Sequence, residues 1–150
     1  MTTPAFASFR SILLVEDNLH DIELTMTALE GNHVLNPLVV VRSGEEALDF
    51  LYQRGTFTDR APGHPVVVLL DLKMPGMNGL DLLQRIKSEA AFNAVPVVML
   101  TTSRNDTDLN RAYELGANAY VVKPVDFSEF TAAIRQVGSF WGVLNEQPGV

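Results

Sequence analysis

The chain has 150 residues, about one average domain, a length at which roughly 70% of the unfolded surface can be buried around a single core. Its 18 acidic residues outnumber 11 Lys and Arg, giving a net charge of -7, and no basic run offers a groove for phosphates, which argues against direct nucleic-acid binding. The absence of cysteine excludes disulfides, thiolate metal sites and cysteine nucleophiles; without a membrane-length apolar run or a signal-type segment in MTTPAFASFR, a soluble cytoplasmic protein is expected.

Residues 1–10, with Pro4, Phe6 and Phe9, read as an arm ahead of a first strand, Ser11 to Val15, which gives way at once to Glu16, Asp17 and Asn18. Asn18 is a suitable N-cap for a helix in which Leu19, Ile22, Met26 and Leu29 recur at spacings of three and four, and Gly31-Asn32 ends it. Leu38 to Val41 forms a second strand, after which Ser43 and Glu46 make a capping box for a helix with the stripe Ala47, Leu48 and Leu51. Residues 55–65, GTFTDRAPGHP, lack periodicity and read as a long surface loop.

The run Val66 to Leu70 is apolar without alternation, which suits a strand buried on both faces of a parallel sheet, and it ends at Asp71. Pro75, Gly76 and Gly79 then turn the chain into a third helix carrying Leu80, Leu82, Leu83 and Ile86. Val97 to Leu100 is a fourth strand, followed by Thr101, Thr102 and Ser103. A fourth helix spans Asp106 to Leu115, with Leu109, Ala112, Tyr113 and Leu115 as apolar members and Gly116 as its stop. A fifth strand, Ala119 to Val122, delivers Lys123 and Pro124. The last helix opens on Asp126 and Glu129, and Phe127, Phe130, Ile134, Val137, Trp141 and Leu144 form a seam along it, weakened by Gly138 and Gly142.

Five strands alternating with five helices define one doubly wound α/β domain over residues 11–144, with a parallel sheet, right-handed crossovers and a tail at 145–150. All strands of such a sheet end at one edge, so Glu16-Asp17, Asp71, Thr101 and Lys123 should gather around one crevice. Three carboxylates in close company repel, so at neutral pH one must have a raised pKa unless a cation lies among them. Mg²⁺ meets that need, as a hard ion held by one or two carboxylates and completed by phosphate oxygens. With Lys123 as a point charge and Thr101 as a hydroxyl donor, the set suits covalent phosphorylation of Asp71. Each of these residues alone reads as a cap or turn residue; their order at four strand ends carries the argument. His20, His33 and His64 are scattered and read as surface residues.

The motifs VEDN (Val15 to Asn18), LLDLKMPGMNG (Leu69 to Gly79), VVMLTTS (Val97 to Ser103) and YVVKP (Tyr120 to Pro124) resemble the receiver domain of bacterial two-component response regulators, chemotaxis-regulator-like in type. The resemblance covers about Ser11 to Leu144 and implies a flavodoxin-like fold with strand order 2-1-3-4-5. It also implies Mg²⁺ held by Glu16, Asp17, Asp71 and the backbone carbonyl of Lys73, with Asp71 phosphorylated by the phosphohistidine of a sensor histidine kinase. Thr101 and Tyr120 become a switch pair that alters the surface of the fourth helix, fifth strand and fifth helix, although Tyr120 also reads as a core aromatic with an exposed hydroxyl. Lys73 and Ser103 border the path of hydrolytic water and would tune the lifetime of the phosphoryl group. The Lys123-Pro124 bond would be cis, and Leu19, His20, Ile22 and Glu23 would dock the kinase.

The long loop, the Thr-Thr-Ser run and Phe140-Trp141 are further similar to stand-alone receivers that partner phytochrome-type kinases, and the seam of the last helix fits a homodimer as well as ordinary core. Three other readings compete. A haloacid-dehalogenase-type phosphatase needs a second Asp where this chain has Lys73, and a flavodoxin-like cofactor site is opposed by Glu16-Asp17. A receiver acting as a phosphorylation-independent scaffold is opposed by the intact set of Asp71, Thr101 and Lys123.

Overall fold

The computed structural model describes residues 10–102 and 105–137. Its elements are β1 (Ile12–Val15), α1 (Leu19–Glu30), β2 (Leu38–Val41), α2 (Gly44–Tyr52), β3 (Val67–Asp71), α3 (Gly79–Ser88), β4 (Val97–Thr101), α4 (Asp106–Glu114), β5 (Ala119–Val122) and α5 (Phe127–Gln136). The strands form a single parallel sheet in the order β2-β1-β3-β4-β5. They lack alternation because both faces are covered. Leu13, Val15, Val68, Leu70, Val97 and Met99 pack against α2, α3 and Ala112 of α4. On the other face Ile12, Leu14, Val67, Leu69, Val98 and Leu100 meet Ile22 and Leu29 of α1 and Phe130 and Ile134 of α5. Each such Val or Leu contributes about 1.5–3 kcal/mol by leaving water, so a one-residue slip of any central strand would strip both faces of their partners.

Side-chain caps start the helices. Asn18 Oδ1 accepts from the Asp21 N–H at 3.0 Å, Ser43 Oγ from Glu46 at 3.1 Å and Asp126 Oδ1 from Glu129 at 2.8 Å. The return leg expected of the Ser43–Glu46 box goes elsewhere: Glu46 Oε2 accepts from the Arg42 N–H at 3.4 Å. The apolar stripe of α1 also differs from its spacing. Leu19 is 61% exposed, because the helix starts at the rim of the sheet, and Thr25 joins Ile22 and Leu29 as a buried position. In α4 only Ala112 of the four expected core residues is fully buried, and Tyr113 is exposed. Gly31 stays helical (φ -63) and the left-handed turn falls on His33 (φ 58).

The loop at 55–65 is organised around one side chain. After a short 3-10 turn at Gly55–Phe57, Arg60 Nε donates to the Phe50 carbonyl at 2.7 Å, and Nη1 donates to those of Ala61 and Gly63 at 2.7 and 2.8 Å. Its guanidinium lies 4.2 Å from the centre of the Phe50 ring. The seam residues Trp141 and Leu144, most of the arm, and Ser103 fall outside the described residues. No described helix is long and apolar enough to cross a membrane.

Candidate functional site

Sheet register brings the polar strand ends together. Val15 pairs with Leu70, so Glu16 follows beside Asp71; Asp71 pairs with Leu100, and Thr101 pairs with Val122, so Lys123 comes next. Backbone bonds carry the ladder past the strand ends: Glu16 N–H to the Val41 carbonyl at 3.0 Å, Leu72 to Leu100 at 3.0 Å and Lys123 to Thr101 at 2.7 Å. The turn after Asp71 is tight. A Cβ at Gly79 would run into the Asp71 carbonyl and the Leu72 backbone, and Gly76 holds φ 76, so both positions demand glycine.

The strand ends enclose a crevice of about 250 Å³ lined by Glu16, Asp17, Asp21, Asp71, Lys123 and the neighbouring Asn18, Lys73 and Thr102. Asp71 was expected at a strand rim; it is the last strand residue and only 5% exposed, so it forms the floor of the crevice. Lys123 Nζ lies 2.6 Å from Glu16 Oε2, 3.0 Å from Asp21 Oδ2 and 3.1 Å from Asp71 Oδ1. Glu16 is 1% exposed, and its other oxygen accepts from the Asn18 N–H at 3.2 Å. Burial pushes the Glu16 carboxyl up to about 7; the charge of Asp71 adds to this, and the hydrogen bond from Lys123 offsets only part. A raised carboxyl is what crowding of acids leads one to expect, but desolvation outranks repulsion as its cause. Burial acts to lower the Lys123 pKa, yet the hydrogen bonds to Glu16 and Asp21 and the charge of Asp71 outweigh it and hold the ammonium above its ordinary range.

Thr101 is 2% exposed at the end of β4, and it is the next residue, Thr102, that lines the crevice. Tyr120 is half-buried and packs on the sheet face that carries α2, α3 and α4. Lys73 is exposed at the mouth, and the Lys123-Pro124 bond is cis. All three histidines are exposed. Ile22 cannot meet a partner on the α1 surface, since it is 7% exposed and belongs to the core; Leu19, His20 and Glu23 remain outside. Two contributors escaped the sequence reading. Asp21 reaches Lys123 from the first turn of α1, a contact across 102 residues for which the sequence carries no local signal. Arg42, the residue after β2, donates from Nη2 to the Asp17 carbonyl at 2.9 Å and so braces the acidic loop.

One oxygen from each of Glu16, Asp17 and Asp71 lies within 4.8 Å of the others. Three hard carboxylate donors this close, two of them buried, suit a hard divalent cation such as Mg²⁺.

Comparison with known proteins gives a concordant picture. The response regulator receiver domain model matches residues 12–135. The structure of the bacteriophytochrome response regulator AtBRR is 54% identical, with a TM-score of 0.85 over 93% of this chain and 99% of that one. The phosphorylated cyanobacterial phytochrome response regulator RcpA is 36% identical, with a TM-score of 0.73 over 89% of this chain and 94% of its own. Response regulator Rcp1 of Synechocystis sp. (strain ATCC 27184 / PCC 6803 / Kazusa) is 35% identical over 130 residues, 87% of each chain. Its Mn(2+)-bound crystal structure has a TM-score of 0.71 and 33% identity, over 92% of this chain and 99% of that one.

Proposed function

This chain belongs to the response regulator receiver family, and on that premise we propose that it is a phosphorylation switch whose phosphoacceptor is Asp71. The observation that carries the reading is the placement of Asp71: a carboxylate on the crevice floor, 5% exposed, with the Lys123 ammonium 3.1 Å from its Oδ1 and two further acids around it. An Asp71 oxygen attacks the phosphorus of a phosphohistidine on a sensor histidine kinase, forming the O–P bond as the P–N bond breaks and the imidazole leaves. Glu16, Asp17, Asp71 and the backbone carbonyl of Lys73 would hold Mg²⁺. When bound, the ion neutralises charge between the carboxylates and the phosphoryl oxygens. Lys123 and the Thr101 hydroxyl bind oxygens of the transferred group, and Thr101 with Tyr120 relays its arrival to the α4, β5 and α5 surface. Lys73, exposed at the crevice mouth, screens the acyl phosphate from the hydrolytic water and sets how long it lasts, a role in which Ser103, outside the described residues, would share.

Similarity to AtBRR and RcpA supports a phytochrome-type kinase as the partner, docking on α1 through Leu19, His20 and Glu23. This assignment goes with a cytoplasmic location and with homodimerisation through the last helix, which light scattering of the purified protein would read directly. The central test uses acetyl phosphate with Mg²⁺ and intact-protein mass spectrometry. The expected result is one acid-stable, hydroxylamine-sensitive phosphoryl group that Asp71→Asn abolishes. Undiminished incorporation in Asp71→Asn rejects the assignment.

A further inference from the structure

The ammonium of Lys123 donates hydrogen bonds to Glu16 Oε2 at 2.6 Å and Asp21 Oδ2 at 3.0 Å, and it forms an ion pair with Asp71 Oδ1 at 3.1 Å. Two of its three protons are therefore committed to carboxylates before any substrate arrives. An incoming phosphoryl group competes for the ammonium with these two acceptors, and the one that holds it less firmly gives way. Glu16 is a poor candidate, since its side chain is 1% exposed and its second oxygen is tied to the Asn18 N–H at 3.2 Å. In the metal-free protein its release would strand a buried carboxylate without its cation, which is the costly way to break an ion pair. Asp71 is the group that carries the phosphoryl. Asp21 differs from both: its side chain is 27% exposed, so water can replace the ammonium, and it stands in the first turn of α1, where the helix N-terminus favours a negative charge.

From this geometry we infer that Asp21 is a positioning residue for the phosphoryl site: it holds the Lys123 ammonium against α1 and is the acceptor that an arriving phosphoryl oxygen displaces. The inference rests on Asp71 and Lys123 being the phosphoryl site. It makes Asp21 a competitor of the phosphorylated state, acting through Lys123 and not by contact with the substrate. The Asp21 backbone N–H remains capped by Asn18 whatever the side chain, so Asp21→Asn removes the charge without removing the helix start.

Two measurements test this. The first is made on metal-free, unphosphorylated protein, where NMR of the Lys123 ammonium should show faster proton exchange with water in Asp21→Asn than in wild type, and recovery in Asp21→Glu. The second is titration with beryllofluoride and Mg²⁺, an acyl-phosphate mimic, followed through amide resonances. Asp21→Asn should bind about threefold to tenfold more tightly, the range between an exposed ion pair and a charged hydrogen bond. In the Lys123→Met background the same substitution should have no effect. An equal gain in both backgrounds would mean that Asp21 acts only through its field, and an unchanged ammonium signal would mean that it does not hold Lys123; either result overturns the inference while leaving the phosphoryl site intact. Failure of wild-type protein to bind beryllofluoride overturns the phosphoryl-site reading and this inference together.

Discussion

Glu16 is a residue whose chemistry the fold alters strongly. Its carboxyl rises from 4.5 to about 7, first because it is buried and then because Asp71 is charged beside it. A folded pKa above the unfolded one means that between these values the folded chain keeps a proton which the unfolded chain has released. The resulting stability is fully present below about pH 4.5 and is lost as pH rises through about 7. In chelator, thermal unfolding of wild type should therefore lose stability across that window relative to Glu16→Gln, whose side chain does not titrate; parallel pH profiles would dismiss the effect. Lys73 makes a kinetic prediction. If its exposed side chain at the crevice mouth screens the acyl phosphate from water, Lys73→Ala shortens the half-life of phosphorylated protein in a phosphate-release assay. An unchanged half-life removes Lys73 from that role.

At the level of elements, helix starts and one turn set the site. Asn18 both caps α1 and, through its N–H, holds Glu16, so Asn18→Ala should cost about 1 kcal/mol from the lost cap. Asp126→Ala at the start of α5 should cost about the same in denaturant titration while leaving phosphoryl uptake unchanged, because that cap lies away from the crevice. The β3–α3 turn is less forgiving. A methyl group at Gly79 meets the Asp71 carbonyl and the Leu72 backbone, atoms that cannot yield as a flexible side chain can. Gly79→Ala should lower stability by about 1–3 kcal/mol and, by moving the Asp71 backbone, slow phosphorylation by acetyl phosphate. Wild-type kinetics in that variant would show that the turn can relax without disturbing Asp71.

Across the whole molecule, the parallel sheet joins stability to chemistry, since the register that buries Leu69 and Leu70 also fixes where Asp71 ends. Leu69→Ala, a fully buried truncation facing α1 and α5, should cost about 2–5 kcal/mol in urea denaturation. A cost below 1 kcal/mol would mean that the site collapses around the missing atoms. By itself the sequence determined the alternation of elements, the parallel sheet and the gathering of Glu16, Asp17, Asp71 and Lys123, because unbroken apolar runs and the polar residues that end them are local signals; Thr101 was expected in the crevice, which Thr102 lines instead. The N-caps Asn18, Ser43 and Asp126 were legible for the same reason. What only the tertiary structure decided depends on distant segments. Asp21 became a hydrogen-bond acceptor of Lys123, 102 residues away, Arg42 braced the Asp17 carbonyl, and Leu19 was turned out to solvent while Thr25 was turned in. Periodicity places a residue on a helix face, but only packing against the sheet decides where that face stops being covered and which charge lies opposite.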